Sequence, residues 1–108
     1  MFNHVGHLTL VPTATSDHIG RIADGLLELP ELVEGLVSAQ VVRDAGLVEG
    51  NATLRFHMRF GSRDDWAAYR AHPAHVAVVT ERIGPVLESK SFVQYDDSQV
   101  VETGSVDV

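Results

Sequence analysis

Residues 68–75, AYRAHPAH, gather a tyrosine and two histidines around one proline. Pro73 suits the first position of a helix, so His75 falls about one turn inside that helix and Tyr69 in the turn before it, where both can converge on one cavity. Imidazole titrates near neutral pH and can take a proton from a carbon held between two carbonyls, while a phenol can stabilise the enolate oxygen that forms. His4, at the start of the chain's first strand, could enter the same cavity and either orient the second ring nitrogen of His75 or bind substrate. A plainer reading stands beside this one: His75 and Tyr69 hydrogen-bond across a break between helices, and His4 caps a strand.

The remaining histidines are expected outside the site. His72, directly before Pro73, can cap the exposed helix end; His7 and His57 fall on the opposite strand faces from the pocket residues; His18 lies in the exposed first turn of a helix. Six histidines raise the question of a metal, but His72 and His75 stand across a helix start with no carboxylate set to complete coordination, so no metal is expected. With no cysteine, disulfides, thiolate nucleophiles and thiolate metal sites are excluded. No glycine-rich phosphate loop, nucleophile elbow or dinucleotide fingerprint is present, and no cofactor is expected.

The elements that must position these side chains follow from periodicity. Residues 5–11 alternate, with His4, Gly6, Leu8 and Leu10 on one face and Val5, His7, Thr9 and Val11 on the other, and Pro12 ends the strand. Thr15 or Ser16 caps a helix with Ile19, Ile22, Ala23, Leu26 and Leu27 along its inner side, which Pro30 is expected to stop. Residues 36–44 form a valine-rich strand, AGLVEGN a hairpin loop, and residues 52–60 a third strand with Ala52, Leu54, Phe56, Met58 and Phe60 on its oily face. Ser62 and Asp65 resemble a capping box for a short helix bearing Trp66 and Tyr69. Pro73 starts another, with Val76, Val79, Thr80 and Ile83 inward, and SFVQY is the last strand. Strand, helix, strand, strand, helices, strand is the split βαβ order, which predicts an α+β, ferredoxin-like domain: a four-stranded antiparallel sheet with its helices on one face. Phe56, Met58, Trp66, Val79 and Leu26 are core residues first, and those nearest His75 are expected to bind substrate as well.

Three segments, HVGHLTL, ATLRFHMRFGSRDDWAAYRAHPAHVAVV and SFVQYD, together resemble the stress-responsive A/B barrel family over residues 4–96. The resemblance implies a dimeric α+β barrel with residues 1–96 as the domain and 97–108 as a tail. Within that family HPAHV is similar to the corresponding segment of polyketide cyclases of the olivetolic acid cyclase kind, which close a ring by aldol condensation without metal or cofactor. The resemblance places His75 on the catalytic acid/base, Tyr69 on the hydrogen-bonding tyrosine and His4 on the histidine of the first strand, and it puts Leu26 where those cyclases carry a second tyrosine. It therefore implies a small cofactor-independent cyclase acting on a polyketide-like β-dicarbonyl substrate. A non-catalytic stress-related or apolar-ligand-binding dimer and a cofactorless monooxygenase are the alternatives.

Composition agrees with this scale of molecule. A chain of 108 residues, 44% of them hydrophobic, makes one core, and a domain this small gains from covering a sheet face with a second copy. Val5, Val37, Val41 and Val93 are expected on that helix-free face as a homodimer interface, and the tail is expected to pack on a surface, the partner's in particular. Fifteen acidic against eight basic residues, net −7, disfavour nucleic acid. No apolar run is long enough for a bilayer, the N-terminus has no export pattern, and the absence of cysteine suits a cytoplasmic home.

Overall fold

The computed structural model describes residues 1–104. Its central strand, β1 (Phe2–Leu10), lies between β3 (Leu54–Phe60) and β4 (Leu87–Asp96), and β2 (Leu36–Arg43) flanks β3, giving the antiparallel order β2-β3-β1-β4. Three helices, α1 (Ser16–Leu32), α2 (Arg63–Arg70) and α3 (Pro73–Val78), complete the ferredoxin-like α+β fold predicted from the element order. Period-two alternation decides which strand residues face the helices. Leu8, Leu54, Phe56, Met58 and Phe60 are buried on that side, and the registers His4↔Met58 and Gly6↔Phe56 put His4 there with them.

Helix α1 begins at Thr15, whose hydroxyl accepts from the His18 N–H at 3.3 Å. His18 returns the contact, its Nδ1 accepting from the Thr15 N–H at 2.9 Å, so an imidazole fills the role usually taken by a glutamate in a capping box. The buried stripe is Ile19, Ile22, Leu26 and Leu29; Leu27, expected inward, is exposed, and Leu29 takes its place. Pro30 does not stop α1, which runs to Leu32 and closes with the Val33 N–H on the Leu29 carbonyl at 2.9 Å. The ring removes one hydrogen bond from the last turn, but Leu29 and Val33 are buried on either side of it and their packing holds that turn.

At the start of α2, Ser62 accepts from the Asp65 N–H at 3.1 Å, but the Asp65 carboxylate takes the Ser62 hydroxyl instead of its backbone, so only half of the expected capping box forms. The short aspartate side chain accounts for this. His72 caps α3 as expected, its Nδ1 accepting from the Ala74 N–H at 3.0 Å. Beyond Val78 the chain widens into a π-helical turn, Val79–Ile83, and then a 3-10 turn, Gly84–Val86. Val78 and Ile83 are buried, while Val76, Val79 and Thr80 are exposed, against the helical spacing that placed these three inward; the change of pitch alters that spacing from Val79 onward.

The helix-free face also differs from expectation at one position. A bulge between Leu36 and Ser38 shifts the pairing of β2, so that Ala39 lies opposite Met58 and Val41 opposite Phe56. Val41 therefore packs against the core, and Val42, opposite Arg55, stands on the open face with Val37 and Val93. One inserted residue is enough to exchange the two faces of the strand beyond it.

The first residue of the tail is tied to the sheet. Asp97 accepts from Asn3 Nδ2 at 2.7 Å, pairs with Arg59 at 2.9 Å and with the N-terminal amine at 3.3 Å, and its N–H bonds the Met1 carbonyl. The expectation that the tail packs on a partner runs on into residues 105–108, which lie outside the described residues.

Candidate active site

Between the sheet and the helices lies a cavity of about 440 Å³, within the range of small-molecule sites. Each wall comes from a different element. β1 contributes His4 and Leu8, β3 Phe56, β4 Lys90, Phe92 and Gln94, α1 Leu26, α2 Trp66, Tyr69 and Arg70, and α3 with the turns after it His75, Val79 and Ile83. Gly6 makes the packing of this wall possible: a Cβ there would fall 2.2 Å from the Phe56 ring and 2.8 Å from the Phe92 ring.

Tyr69 and His75, predicted to converge, do so, with ring centroids 4.2 Å apart. The chain achieves this by breaking the helix at His72. α2 ends with Tyr69 on its inner side, α3 restarts at Pro73, and His75 turns back over the tyrosine. Tyr69 is 2% exposed and its other edge rests on Phe60 at 5.0 Å. Burial pushes its phenol well above the ordinary range, so it stays protonated and keeps an O–H to offer a ligand.

His75 is held by its own turn. Its Nδ1 lies 3.2 Å from the Arg70 carbonyl oxygen, which can only accept, so the proton sits on Nδ1 and Nε2 carries the lone pair. Desolvation lowers its pKa, the Arg70 carbonyl works the other way, and the charges of Arg70 and His72 lower it further. A neutral imidazole with a free Nε2 can act as a base. The orienting partner of His75 is thus the backbone of the preceding helix and not His4, as one sequence reading had it.

His4 sits inside β1, 9% exposed, and not at a strand cap. Its ring is packed among Phe56, Phe92, Trp66 and Tyr69 at centroid distances of 5.1, 5.4, 6.1 and 6.3 Å. Burial first, then the charges of His75 and Arg70, hold its pKa down at about 4, so it is neutral at pH 7. Gln94 Nε2 lies 2.9 Å from His4 Nδ1, and an amide nitrogen only donates, so the imidazole proton is on Nε2. The two histidines are therefore opposite tautomers: His75 offers a lone pair and His4 an N–H.

Of the apolar residues expected to bind substrate, Phe56, Trp66, Val79 and Leu26 line the cavity. Met58 does not; it is fully buried in the core beneath the strand pair and outside the cavity wall. Sequence reading missed Phe92, Gln94, Lys90 and Arg70. The signal for the first two was present, because the alternation of SFVQY puts Phe92 and Gln94 opposite Gly6 and His4 once β4 pairs with β1. His57 and His7 face away, as expected, and His57 bonds Asn3 Oδ1 at 2.8 Å. Among the described residues, no three histidine, aspartate or glutamate side chains come together to hold a metal ion, and no helix is long and apolar enough to cross a membrane.

Residues 2–97 match the family described as Stress responsive A/B Barrel Domain. No curated protein matches the chain. Among solved structures, a protein of Arabidopsis thaliana is 26% identical, with a TM-score of 0.80 over 94% of this chain and 100% of that one. A dimeric ferredoxin-like protein of unknown function from Thermobifida fusca is also 26% identical, with a TM-score of 0.77 over 87% of this chain and 88% of the other. The hydroxynitrile lyase of Passiflora edulis shares the fold at 14% identity, with a TM-score of 0.79 over 94% and 96% of the two chains.

Proposed function

We propose that this chain, which belongs to the stress-responsive A/B barrel domain family, is a cofactor-independent acid/base enzyme that closes a ring in a polyketide-like β-dicarbonyl substrate. His75 Nε2 removes a proton from the carbon between two carbonyls; the Tyr69 hydroxyl and the His4 Nε2–H receive the charge that develops on oxygen. The enolate carbon then attacks a distant carbonyl of the same chain, and the imidazolium of His75 returns its proton to the new alkoxide. The single observation that carries this reading is the Nδ1 contact of His75 with the Arg70 carbonyl, which leaves a neutral base whose ring centroid lies 4.2 Å from that of a phenol that burial keeps protonated. Phe56, Trp66, Leu26 and Val79 form the apolar wall on which a folded carbon chain packs.

The proposal includes a homodimer formed through the helix-free face, with residues 1–96 as the working domain and the cytoplasm as its setting. Val37, Val42 and Val93 are 58%, 44% and 55% exposed on that face, an apolar set that a second copy would cover. The Thermobifida fusca protein of the same fold is dimeric, which lends support.

Exchange of the acidic C–H of an alkyl β-keto thioester in D₂O, followed by proton NMR, tests the chemistry. Wild-type protein should accelerate the exchange and His75→Ala should return it to the buffer rate. Equal acceleration by both proteins would remove His75 from the reaction, and oxygen consumption with a hydroxyanthrone would replace the cyclase by the monooxygenase.

A further inference from the structure

The charge on the cavity wall is opposite to the charge on the molecule. The chain has 15 acidic and 8 basic residues, yet the wall holds Arg70 and Lys90 and no aspartate or glutamate. Both cations are exposed residues at the cavity's edge, and each lies over an aromatic ring of the wall: Arg70 Cζ 5.5 Å from the Trp66 centroid, Lys90 Nζ 5.7 Å from that of Phe92. Among the described residues neither takes part in a salt bridge; Asp97 takes Arg59 and the N-terminus instead.

From this we infer that the cavity takes an apolar ligand carrying a carboxylate, whose oxygens are met at the mouth by Arg70 and Lys90 while its carbon skeleton lies on Phe56, Trp66 and Phe92. The planar guanidinium fits a carboxylate in two-point contact, and its stacking on Trp66 pre-orients it for that contact. Lys90, on β4, offers a second cation to the same wall.

The inference rests on the cavity being the substrate site and narrows its ligand to an acid. Its test uses 2-naphthoate and the neutral isostere 2-naphthamide, titrated calorimetrically into the full chain. Neither has an acidic C–H of the β-dicarbonyl kind, so the outcome is independent of whether His75 abstracts protons. The acid should bind about tenfold or more tightly than the amide. Arg70→Gln and Lys90→Gln should each bring the acid close to the amide's affinity while leaving the amide unchanged, which also shows that the variants fold. Equal affinity for acid and amide, parallel loss of both in the variants, or no binding of the acid at millimolar concentration would each overturn the inference while leaving C–H exchange by His75 standing.

Discussion

The two faces of one sheet carry the same residue type in opposite conditions. His4 on the helix side and His57 on the open side both have lowered pKa values with desolvation as the leading cause, but only His4 is brought down to about 4. His57 is half-buried, bonds Asn3, and its charge is opposed by Arg55 and Arg59 and favoured by Asp97. His4 is enclosed by four aromatic rings and a second imidazole, with no carboxylate on the cavity wall to favour its charged form. Adjacent strands thus hold one histidine in a polar network and one in a desolvated pocket, and the difference comes from the helices above and not from the strands themselves.

The largest expected effect that would sharpen this contrast is on catalysis. His75→Ala should lower the C–H exchange rate by about 10²–10⁴-fold with the far-ultraviolet circular dichroism unchanged. His57→Ala should leave the rate alone. Should the two variants slow the reaction equally, the helix side has no special chemistry.

Next in size is the pH dependence of stability. The pKa of His4 is lower in the folded chain than its ordinary 6.5, so the unfolded chain binds a proton that the native one refuses between pH 6.5 and about 4. Its contribution is present above pH 6.5 and is lost as the pH falls toward 4, by about 3 kcal/mol at most. Denaturant unfolding at pH 7 and 4.5 should show that loss in wild type and a shallower one in His4→Gln. An identical pH slope in both would place the sensitivity elsewhere.

Tyr69→Phe should slow exchange by about 10²-fold through loss of one oxyanion donor, and leave the Phe60 contact and the melting temperature nearly as they are. A normal rate in that variant would assign the oxygen to His4 alone. Gly6→Ala forces Phe56 and Phe92 to move, which should destabilise the chain by about 1–3 kcal/mol in a urea titration. The smallest effect belongs to the open face again, where His57→Ala removes its bond to Asn3 and should cost about 1 kcal/mol without touching the rate.

Much of this was legible in the amino-acid order. Alternation through Leu54, Phe56, Met58 and Phe60, and the stripe Ile19, Ile22 and Leu26, follow from local periodicity, which burial on one face enforces. The pairing of Tyr69 with His75 was legible because Pro73 marks where one helix stops and the next begins. The face of Val41 was not, since a bulge leaves no mark in the pattern of a valine-rich strand. Nor was the inner side of the last helix, because a π-helical turn after Val78 breaks the period from which that side was inferred.

By itself the sequence determined the order of elements, the helix-facing side of β1 and β3, and the helix break at Pro73 that brings Tyr69 and His75 together. All of these are short-range consequences of side-chain period, a proline and a cap. Only the tertiary structure decided that Gln94 and Phe92 complete the pocket, that Arg70 and Lys90 both line it, and that Met58 stays out of it. Those residues come from strands and helices far apart in the chain, and cross-strand register together with helix packing brings them to one cavity. The same burial sets the protonation of His4 and Tyr69, because desolvation is a property of the surrounding volume and not of neighbours along the chain.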